Sequence, residues 1–471
     1  MGSRNRTAFI ISHIFFLLSL AAIRTIPYVA EWGSDTFLPP QTRPVRFYII
    51  GLLSAVFLSH FLYLRFCKDS GTELFASGGT TVYFWSATSL VFLFLCSVPA
   101  VLSSDLYEYS LRARMISVYG INPYLHVPTE VANDMFFPLL FWKDTPECYG
   151  PAWVLTGVIH TLPFRDSLFL TAFLHKFLLL VFLGLSGYVF YRICAELDLK
   201  NAGILTAAFL TNPLIIIMTV VDGHNEIAMV FFMLASVYLL LRSKYVLALV
   251  LFTAAVQVKF VYLLITPLVI LYILFGPGGK TLKRRIGETV IGGVISAALV
   301  AVLWIPFGWG AVTAIIDYYR GLGGLFWPDS IPYAVQFLLE KAGVVVSKQA
   351  VAGAFSALFV ALYLAAVAYF IKRLKTDRQA IFTASSLIIL ALLLTNYSPF
   401  QPWYLLWVLP LILLARFKNG FLLVSFLSYF LIMTFWKRMS VLAIPMMIMY
   451  FVVLFSRDAC SRKIKALFSL E

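Results

Sequence analysis

Residues 167–191 read SLFLTAFLHKFLLLVFLGLSGYVFY, and this run is the clearest single indication of how the chain folds. A helix needs about 20 predominantly apolar residues to cross the hydrocarbon core of a bilayer, and this segment is long enough. The whole chain has the same character, because 61% of its 471 residues are hydrophobic and only 12% are charged. Soluble proteins carry about a quarter charged residues. We therefore predict an all-α integral membrane protein.

Apolar runs of this kind recur along the chain, separated by charged or Pro/Gly-rich breaks. The first run has no convincing small-residue cleavage site behind it, which favours a retained span over a signal peptide. Because several runs are short, we predict roughly 12–14 transmembrane helices. The candidate spans are residues 8–28, 45–66, 81–102, 167–191, 203–220, 227–241, 245–258, 260–275, 287–307, 348–371, 380–397, 402–415, 420–436 and 440–456.

Residues 245–275 are compatible with one long helix or with a hairpin of two short helices. Cytoplasmic loops of membrane proteins carry an excess of Lys and Arg. A single span would place the basic clusters at 280–285, 372–378 and 457–465 outside, whereas a hairpin places them inside. We therefore predict a hairpin, with Lys259 at its extracytoplasmic tip.

The predicted topology gives a single polytopic domain over residues 1–471 in the plasma (inner) membrane. Its longest polar loops, 103–166 and 308–347, then lie on the extracytoplasmic side together. Loops of this length in compact proteins are usually functional. The predicted parts are N-terminal spans at 1–80, a core at 81–300 that contains the first loop, and C-terminal spans at 301–471.

The charge and cysteine patterns argue against a nucleic-acid-binding protein and against a fold held by disulfides or zinc. The chain has 36 Lys and Arg against 22 Asp and Glu, but these basic residues punctuate apolar runs. Such a distribution indicates membrane topology and lipid contact, and we expect no nucleic-acid partner. The five cysteines lie far apart, without the spacing of a disulfide framework or a zinc site.

The first loop opens with SSDLYEYSLRARMISVYGINPY, residues 103–124. Asp105 directly follows an apolar span, which places it at the boundary between membrane and water. On a helix Asp105 and Tyr109 share one face, as do Glu108 and Arg112. We predict an amphipathic helix along the membrane interface. The simpler interpretation is that Asp105 only caps the helix and that Glu108 and Arg112 form a surface pair.

A second polar group, in TVVDGHNEIAM at residues 219–229, interrupts two apolar spans. Ionisable residues at membrane depth are costly and usually functional. The alternative is a turn with Asp222 as a helix N-cap. His224 and Glu226 are two residues apart, which is a weak pattern for a metal site. We predict no metal-ligand set, and a divalent metal remains open.

Two further segments are unusual for apolar runs. Lys259 in AAVQVKFVYLLITP is costly in a membrane unless it pairs with an anion or reaches the interface. NYSPFQPWYLLW, residues 396–407, contains two prolines and several aromatic residues. Aromatic belts are ordinary at membrane interfaces, so this segment alone indicates little.

Several motifs occur in an order that resembles a known family. SSDLYEY and GINPY are followed by YGPAW (149–153), NPLIIIMTVVDGHNE (212–226), Val-Lys (258–259) and PWYLLWVLPL (402–411). Together they are similar to the polytopic GT-C glycosyltransferases, and most similar to the polyprenol-phosphate-mannose-dependent α-(1→6)-mannosyltransferases of the actinobacterial mannan type. That family usually has His-Asn-Asp where this chain has His-Asn-Glu.

The resemblance implies a GT-C (GT-C_A-like) fold and an inverting transfer of a hexose, namely mannose. The implied donor is a polyprenyl-phosphate sugar, and the implied acceptor is an extracytoplasmic glycan, glycolipid or protein. It makes Asp105 the catalytic base. From its charge and its position at the hairpin tip, we predict Lys259 as the ligand of the donor phosphate, with Arg112 or Arg114 assisting. The remaining candidates for sugar or acceptor binding are Tyr107, Glu108, Tyr109, Asn122, Tyr149, His224, Asn225, Glu226, Gln401, Trp403 and Tyr404.

Two other classes of membrane protein have similar span counts. A lipid or sugar transporter is expected to show repeat symmetry and polar residues near the midplane, whereas the polar residues here cluster on one predicted face. A lipid-linked oligosaccharide ligase is expected to have a late loop rich in Arg and His. Residues 308–347 contain one Arg and no His, which disfavours that alternative.

Overall fold

A computed structural model describes residues 3–26, 43–69, 78–199, 201–322, 330–396, 401–415 and Ser428. Every regular element in these residues is a helix, which confirms the predicted all-α class. The helices that we label α1 to α16 are Ser3–Ala21, Arg43–Asp69, Gly78–Cys96, Asp105–Ser117, Pro151–Thr161, Leu168–Glu196, Ala202–Leu210, Glu226–Leu241, Tyr245–Val258, Thr266–Phe275, Leu282–Trp304, Gly308–Leu322, Ile331–Lys341, Lys348–Arg373, Ala380–Thr395 and Leu409–Leu414.

Shorter helical turns connect some of these elements. A π-helix at Ile216–Val221 leads from α7 towards α8. Further 3₁₀-helices occur at Ala22–Thr25, Pro128–Val131, Phe137–Leu139, Phe260–Ile265 and Pro402–Trp407. π-helical turns are rare overall, but those that occur are often found at functional sites. This one directly precedes the polar residues 222–226.

The predicted spans up to residue 415 coincide with apolar helices. By length and composition, 5 are long enough to cross a membrane: Thr7–Thr25, Leu168–Glu196, Ala202–Val221, Leu282–Trp304 and Lys348–Arg373. The others correspond to apolar helices of 10–17 residues. The predicted spans 420–436 and 440–456, and the basic tail at 457–465, lie outside the described residues.

The chain divides into two compact units, and the division falls within α8, between Phe231 and Phe232. We call the described residues up to Phe231 the N-terminal unit and those from Phe232 onward the C-terminal unit. The polar segments around Asp105 and residues 222–226 belong to the first, and Lys259 belongs to the second. The domain bounds predicted from the sequence stay a prediction.

Helix α4 of the N-terminal unit is buried by protein along most of its length, so it presents no free apolar face, and its place at the membrane interface stays a prediction. Every residue from 106 to 115 is buried, including the charged ones. The reason is that the following loop folds back over the helix. Leu106, Leu111 and Met115 pack with Phe136 of that loop in one hydrophobic cluster.

The C-terminal unit confirms the predicted hairpin at residues 245–275. Lys259 adopts an extended conformation (φ −153°, ψ 129°) and ends α9. Arg285 of α11 contacts both ends of the segment: its Nη1 donates to the carbonyl of Ile273 at 3.1 Å, and its guanidinium lies 5.7 Å from the Tyr245 ring centroid. One continuous helix would separate those ends by roughly 45 Å.

Candidate active site

Asp105 is the first residue of α4, and its carboxylate lies between two other polar side chains. The Ser103 hydroxyl accepts a hydrogen bond from the Asp105 amide at 3.2 Å, which helps to fix the start of the helix. The Tyr109 hydroxyl and His224 Nδ1 each lie 3.4 Å from the same Asp105 oxygen, Oδ2. The Asp105 side chain is 15% exposed, whereas that of His224 is fully buried. Asp105 is thus the accessible member of a buried cluster.

Tyr109 lies one turn along α4 and is held by aromatic neighbours. Tyr149 and Trp153 each contact its ring edge to face, with centroids 5.4 Å away, and His175 stacks on it. Burial raises the pKa of Tyr109 well above its usual value, and the Asp105 carboxylate raises it further. The phenol therefore stays protonated at neutral pH and serves as a donor towards Asp105, not as a base.

The polar turn after the π-helix is tied to the chain just before Asp105. Asp222 Oδ1 accepts hydrogen bonds from the amides of Val101 and Leu102, at 2.6 and 3.0 Å. Asp222 therefore ties these two polar segments together, and the described geometry does not show it as the N-cap of α8. Gly223 follows with φ +73°, a conformation that L side chains rarely adopt.

The next three residues, His224, Asn225 and Glu226, are fully buried. Within the described part of the chain, neither the oxygen nor the nitrogen of the Asn225 side-chain amide has a hydrogen-bond partner. A buried polar group left unsatisfied costs about 1–3 kcal/mol per group. An amide that bears this cost, between Glu226 and the His224 that lies 3.4 Å from Asp105, is typical of a site that binds polar ligand groups.

Glu108 and Arg112 form a buried ion pair at 2.6 Å, so the alternative of a surface pair is wrong. Glu108 Oε1 also accepts hydrogen bonds from the amides of Phe141 and Trp142, at 2.6 and 2.7 Å. Arg112 Nη2 donates to the Thr145 carbonyl at 3.1 Å. The pair therefore fastens the loop onto α4, and its contacts favour a structural role over ligand binding.

Arg114 is committed to the same loop. Its Nε donates to Asp134 Oδ2 at 2.7 Å, and its Nη1 donates to the carbonyl of Arg165 at 2.6 Å. The predicted role of Arg112 and Arg114 as phosphate ligands therefore has no support in these contacts. The sequence contains no local signal for this outcome, because Asp134 lies in the loop, 20 residues beyond Arg114.

The remaining candidates of the first loop occupy different environments. Tyr107 is fully buried in the hydrophobic cluster of α4. The Asn122 side chain accepts a hydrogen bond from the Tyr124 amide at 3.1 Å and so stabilises a turn. Tyr149 is half-buried and contacts the Tyr109 ring. Of these three, Tyr149 is the one whose recorded contacts lead to the Asp105 cluster.

In the C-terminal unit, Lys259 meets the aromatic segment that the sequence singled out. Its Nζ lies 5.1 Å from the ring centroids of both Tyr404 and Trp407, and the residue is 4% exposed. The Trp407 carbonyl accepts a hydrogen bond from Tyr262 at 3.0 Å, which anchors this wall. Trp407 belongs to the aromatic segment noted in the sequence but was not among the predicted binding residues, although the three-residue period of the 3₁₀-helix Pro402–Trp407 places it on the same face as Tyr404.

Gln401 and Trp403 flank this contact. Gln401 is half-buried, and its carbonyl accepts a hydrogen bond from the Tyr404 amide at 3.1 Å. The buried Trp403 ring lies edge to face with Tyr404, with centroids 5.8 Å apart. Both residues therefore support Tyr404, and their predicted contact with a sugar stays a prediction.

Two buried histidines close to the Asp105 cluster, His160 and His175, were not predicted. His175 lies within the apolar run 167–191, and a histidine in an apolar run was the one sequence feature that could have pointed to it. As for metals, no group of three or more His, Cys, Asp or Glu side chains that could hold an ion occurs within the described ranges. Within those ranges, His224 and Glu226 therefore have no third side chain of these types placed to complete a metal site with them.

Comparisons with known proteins identify related sequences. A family profile described as "Alpha-(1->6)-mannopyranosyltransferase, N-terminal domain" matches residues 36–275. Alpha-(1->6)-mannopyranosyltransferase A of Mycobacterium tuberculosis is 26% identical over 265 residues, covering 56% of this chain and 49% of the relative. The protein of the same name from Corynebacterium glutamicum is 25% identical over 265 residues, covering 51% and 52%.

The chain spans about half the length of the curated relatives that it matches. No solved structure gives a significant match. The matched residues 36–275 include Asp105, the polar turn at 222–226 and Lys259. Because the profile covers more than half of the sequence and the site residues within it, the chain belongs to the alpha-(1->6)-mannopyranosyltransferase family.

Proposed function

We propose that this protein is an inverting mannosyltransferase that uses a polyprenyl-phosphate mannose donor and an extracytoplasmic glycan or glycolipid acceptor. The observation that carries the proposal is the Asp105 carboxylate, which is accessible at 15% and lies 3.4 Å from both Tyr109 and His224. Membership of the family and the names of its relatives support mannose as the transferred sugar.

The chemistry of such a transfer requires one base. The departing lipid phosphate is stable as an anion, so it needs little help from a general acid. The acceptor hydroxyl must lose its proton as its oxygen attacks the anomeric carbon. In the proposed step Asp105 takes that proton, the new C–O bond forms, and the bond from the anomeric carbon to the phosphate oxygen breaks. A β-linked donor then gives an α-linked product.

The neighbours of Asp105 have roles that follow from their contacts. Tyr109 and His224 orient the carboxylate, since both approach the same oxygen. The Asn225 amide and the Glu226 carboxylate are suited to hydroxyl groups of a sugar. Buried groups that bind hydroxyls discriminate strongly against ligands that lack them.

Lys259 is the proposed ligand of the donor phosphate. A cation at membrane depth is costly unless its surroundings stabilise it. The faces of Tyr404 and Trp407 supply part of that stabilisation through cation–π contacts. An ammonium is a point charge with rotatable donors, which suits an anion that must leave after each turnover. Arg112 and Arg114 are not proposed for this role, because Arg112 donates to Glu108 and to the Thr145 carbonyl of the loop, and Arg114 donates to Asp134 of the loop.

The proposal also places the site on the extracytoplasmic face of a multi-pass plasma-membrane protein. Single cysteines introduced at the half-buried Tyr149 and at the exposed Asp144 of the same loop should react with an impermeant reagent from outside. Cysteines introduced at Lys283 and Lys375 should react only after the membrane is opened. Labelling of the two pairs with the opposite sidedness would overturn this orientation.

The function itself is tested with purified protein, a polyprenyl-phosphate mannose carrying a labelled sugar, and an α-mannoside acceptor. We expect transfer of one hexose with α-linkage, detected by mass and linkage analysis of the product. GDP-mannose without lipid serves as the control donor and should give no product. Transfer from GDP-mannose alone, or no transfer from the lipid donor, would overturn the proposal.

A further inference from the structure

His175, on α6, is a buried side chain with contacts to three other parts of the N-terminal unit. Its Nε2 lies 2.8 Å from the carbonyl oxygen of Gly223, and its Nδ1 lies 3.2 Å from Nε2 of His160. One face of the ring stacks on Tyr109, with centroids 5.9 Å apart and planes 15° apart. His175 thus joins α4, α5 and the turn that carries His224.

The Gly223 carbonyl determines the protonation of the whole chain of contacts. A carbonyl oxygen only accepts hydrogen bonds, so His175 Nε2 must carry the hydrogen. In the neutral ring Nδ1 is then an acceptor, and His160 Nε2 must donate to it. Burial lowers the pKa of His160 well below its usual value, and His175 lowers it further. Both rings are therefore neutral in this assignment, and the hydrogen-bond direction runs from His160 to His175 to Gly223.

The direction of these hydrogen bonds distinguishes a role of His175 in proton transfer from a role in positioning. A chain that ends on a backbone carbonyl cannot pass a proton to a carboxylate, so His175 is not part of a proton relay. It can, however, hold the carbonyl and hence the turn in one position. In metal sites the same device, a neutral ring oriented by a second hydrogen bond, fixes a histidine's tautomer.

Two routes lead from His175 to Asp105. The first runs through the stacked ring of Tyr109, whose hydroxyl lies 3.4 Å from Asp105 Oδ2. The second runs through Gly223 to the next residue, His224, whose Nδ1 lies 3.4 Å from the same oxygen. We infer that His175 is a positioning residue that holds both partners of the Asp105 carboxylate, with His160 fixing its orientation.

The packing around Gly223 explains why a small displacement of the His175 ring would also move the turn that carries His224. A Cβ atom at Gly223 would lie 2.9 Å from Leu106 Cδ1 and 3.3 Å from His175 Cδ2. The turn is therefore in close contact with α4 on one side and with the imidazole on the other. Loss of the imidazole removes one of the two packing contacts that hold the turn in place.

The inference rests on the proposed function, in which Asp105 is the base. Two substitutions of His175 test it, because each retains a different nitrogen position. In His175→Gln the side-chain amide reaches the position of Nε2 and can still donate to the Gly223 carbonyl. In His175→Asn the amide reaches only the position of Nδ1, so the contact with Gly223 is lost.

Initial rates with polyprenyl-phosphate mannose should separate the two variants. We expect His175→Asn to lower kcat by about 10²-fold, the cost of misplacing a reacting group by about 1 Å. The donor KM should stay unchanged, and His175→Gln should recover most of the lost kcat. Equal activity of wild type and His175→Asn, or equal losses in both variants, would overturn the inference.

His13→Asn is the matched control. His13 is also a fully buried histidine of the N-terminal unit, and it lies 3.2 Å from the Thr88 hydroxyl between α1 and α3. It shows what the loss of a buried imidazole contact costs in general. Its kcat should stay close to that of the wild type.

His160 offers a milder version of the same test, for the case in which His175 variants do not fold. His160→Gln keeps a donor towards His175, whereas His160→Leu removes it. The expected order of kcat is wild type, then His160→Gln, then His160→Leu, with melting temperatures measured alongside. A kcat of His160→Leu equal to that of His160→Gln would count against the inference.

Nuclear magnetic resonance of ¹⁵N-histidine-labelled protein supplies a readout that does not depend on the donor. The chain contains 6 histidines, so assignment by single substitution is practical. We expect His160 and His175 as neutral Nε2–H tautomers at pH 7. A charged ring or an Nδ1–H tautomer at His175 would overturn the inference. If wild type does not use the lipid donor but shows these tautomers, the proposed function fails while the histidine geometry stands.

Discussion

The two units of the protein hold their unusual polar groups in different ways. In the N-terminal unit Asp105 accepts a hydrogen bond from the Tyr109 hydroxyl at 3.4 Å, His224 Nδ1 lies 3.4 Å from the same oxygen, and Asp222 is hydrogen-bonded to the backbone just before Asp105. In the C-terminal unit Lys259 lies 5.1 Å from each of two aromatic rings. Hydrogen bonds fix the direction of a group, whereas a cation–π contact stabilises charge with little angular constraint.

This difference corresponds to two requirements of a glycosyl transfer. A base must point at one proton, because misplacement by about 1 Å can cost 10²-fold in rate. A cation that holds a phosphate needs mainly to be near it. We therefore propose the chemical step for Asp105 and donor binding for Lys259, and the following substitutions test that proposal.

The largest effect is expected for Asp105→Asn, which keeps the shape of the side chain and removes the base. We expect kcat to fall by about 10²–10⁴-fold, the usual contribution of general-base catalysis. The melting temperature should be unchanged. Asp144→Asn, which alters an exposed carboxylate of the same loop, is the control and should retain full activity. Near-wild-type turnover by Asp105→Asn would remove the basis of the proposed mechanism.

The second effect concerns stability. Glu108→Gln leaves the Arg112 guanidinium buried without its ion pair, which is expected to lower the free energy of unfolding by about 3 kcal/mol. The measurement is equilibrium unfolding in denaturant, with hydrogen exchange of the loop amides at Phe141 and Trp142. Asp144→Asn, at an exposed carboxylate of the same loop, should leave the unfolding unchanged. Equal stability of both variants would mean that the ion pair does not hold the loop.

A smaller effect is expected for Lys259→Met, which keeps the apolar stem and removes the charge. The loss of one charge-assisted contact, about 1.5–3 kcal/mol, corresponds to a donor KM raised by about 10- to 100-fold. Lys341→Met is the matched control, since Lys341 lies 5.5 Å from the Phe337 ring on an exposed helix of the same unit. An unchanged donor KM in Lys259→Met would reduce Lys259 to a lysine that merely reaches the membrane interface.

The smallest effect is expected for Tyr404→Leu. It removes one of the two ring faces near Lys259, a contact worth about 0.5–1 kcal/mol, or about 2- to 5-fold in donor KM. Tyr404→Phe keeps the ring face and should behave as the wild type. A loss in Tyr404→Phe as large as that in Tyr404→Leu would indicate that the hydroxyl matters and the ring does not.

The fold was largely predictable because its signals are local. Apolar length predicts each helix, and the position of basic clusters predicts the hairpin around Lys259, which Arg285 confirms by contacting both of its ends. Spacing along α4 also predicts the Glu108–Arg112 pair. Its burial was not predictable, because it depends on loop residues such as Phe141 that are distant in sequence.

The site was predictable in part. The Asp105–Tyr109 neighbourhood follows from helical spacing, whereas the predicted topology places His224 only on the same face as Asp105, and its approach to the carboxylate depends on a tertiary contact. Arg114 looked available in sequence because its partner Asp134 has no sequence signal. His175 escaped notice because a single histidine in an apolar run is ordinary until its partners are known.

Donor binding at equilibrium tests the central division of roles most directly. Purified wild type, Asp105→Asn and Lys259→Met are titrated with polyprenyl-phosphate mannose in the absence of acceptor. Asp105→Asn should bind with the wild-type Kd although it does not transfer, and Lys259→Met should bind about 10- to 100-fold more weakly. Wild-type binding by Lys259→Met, or a loss of binding in Asp105→Asn that matches its loss of activity, would contradict the account.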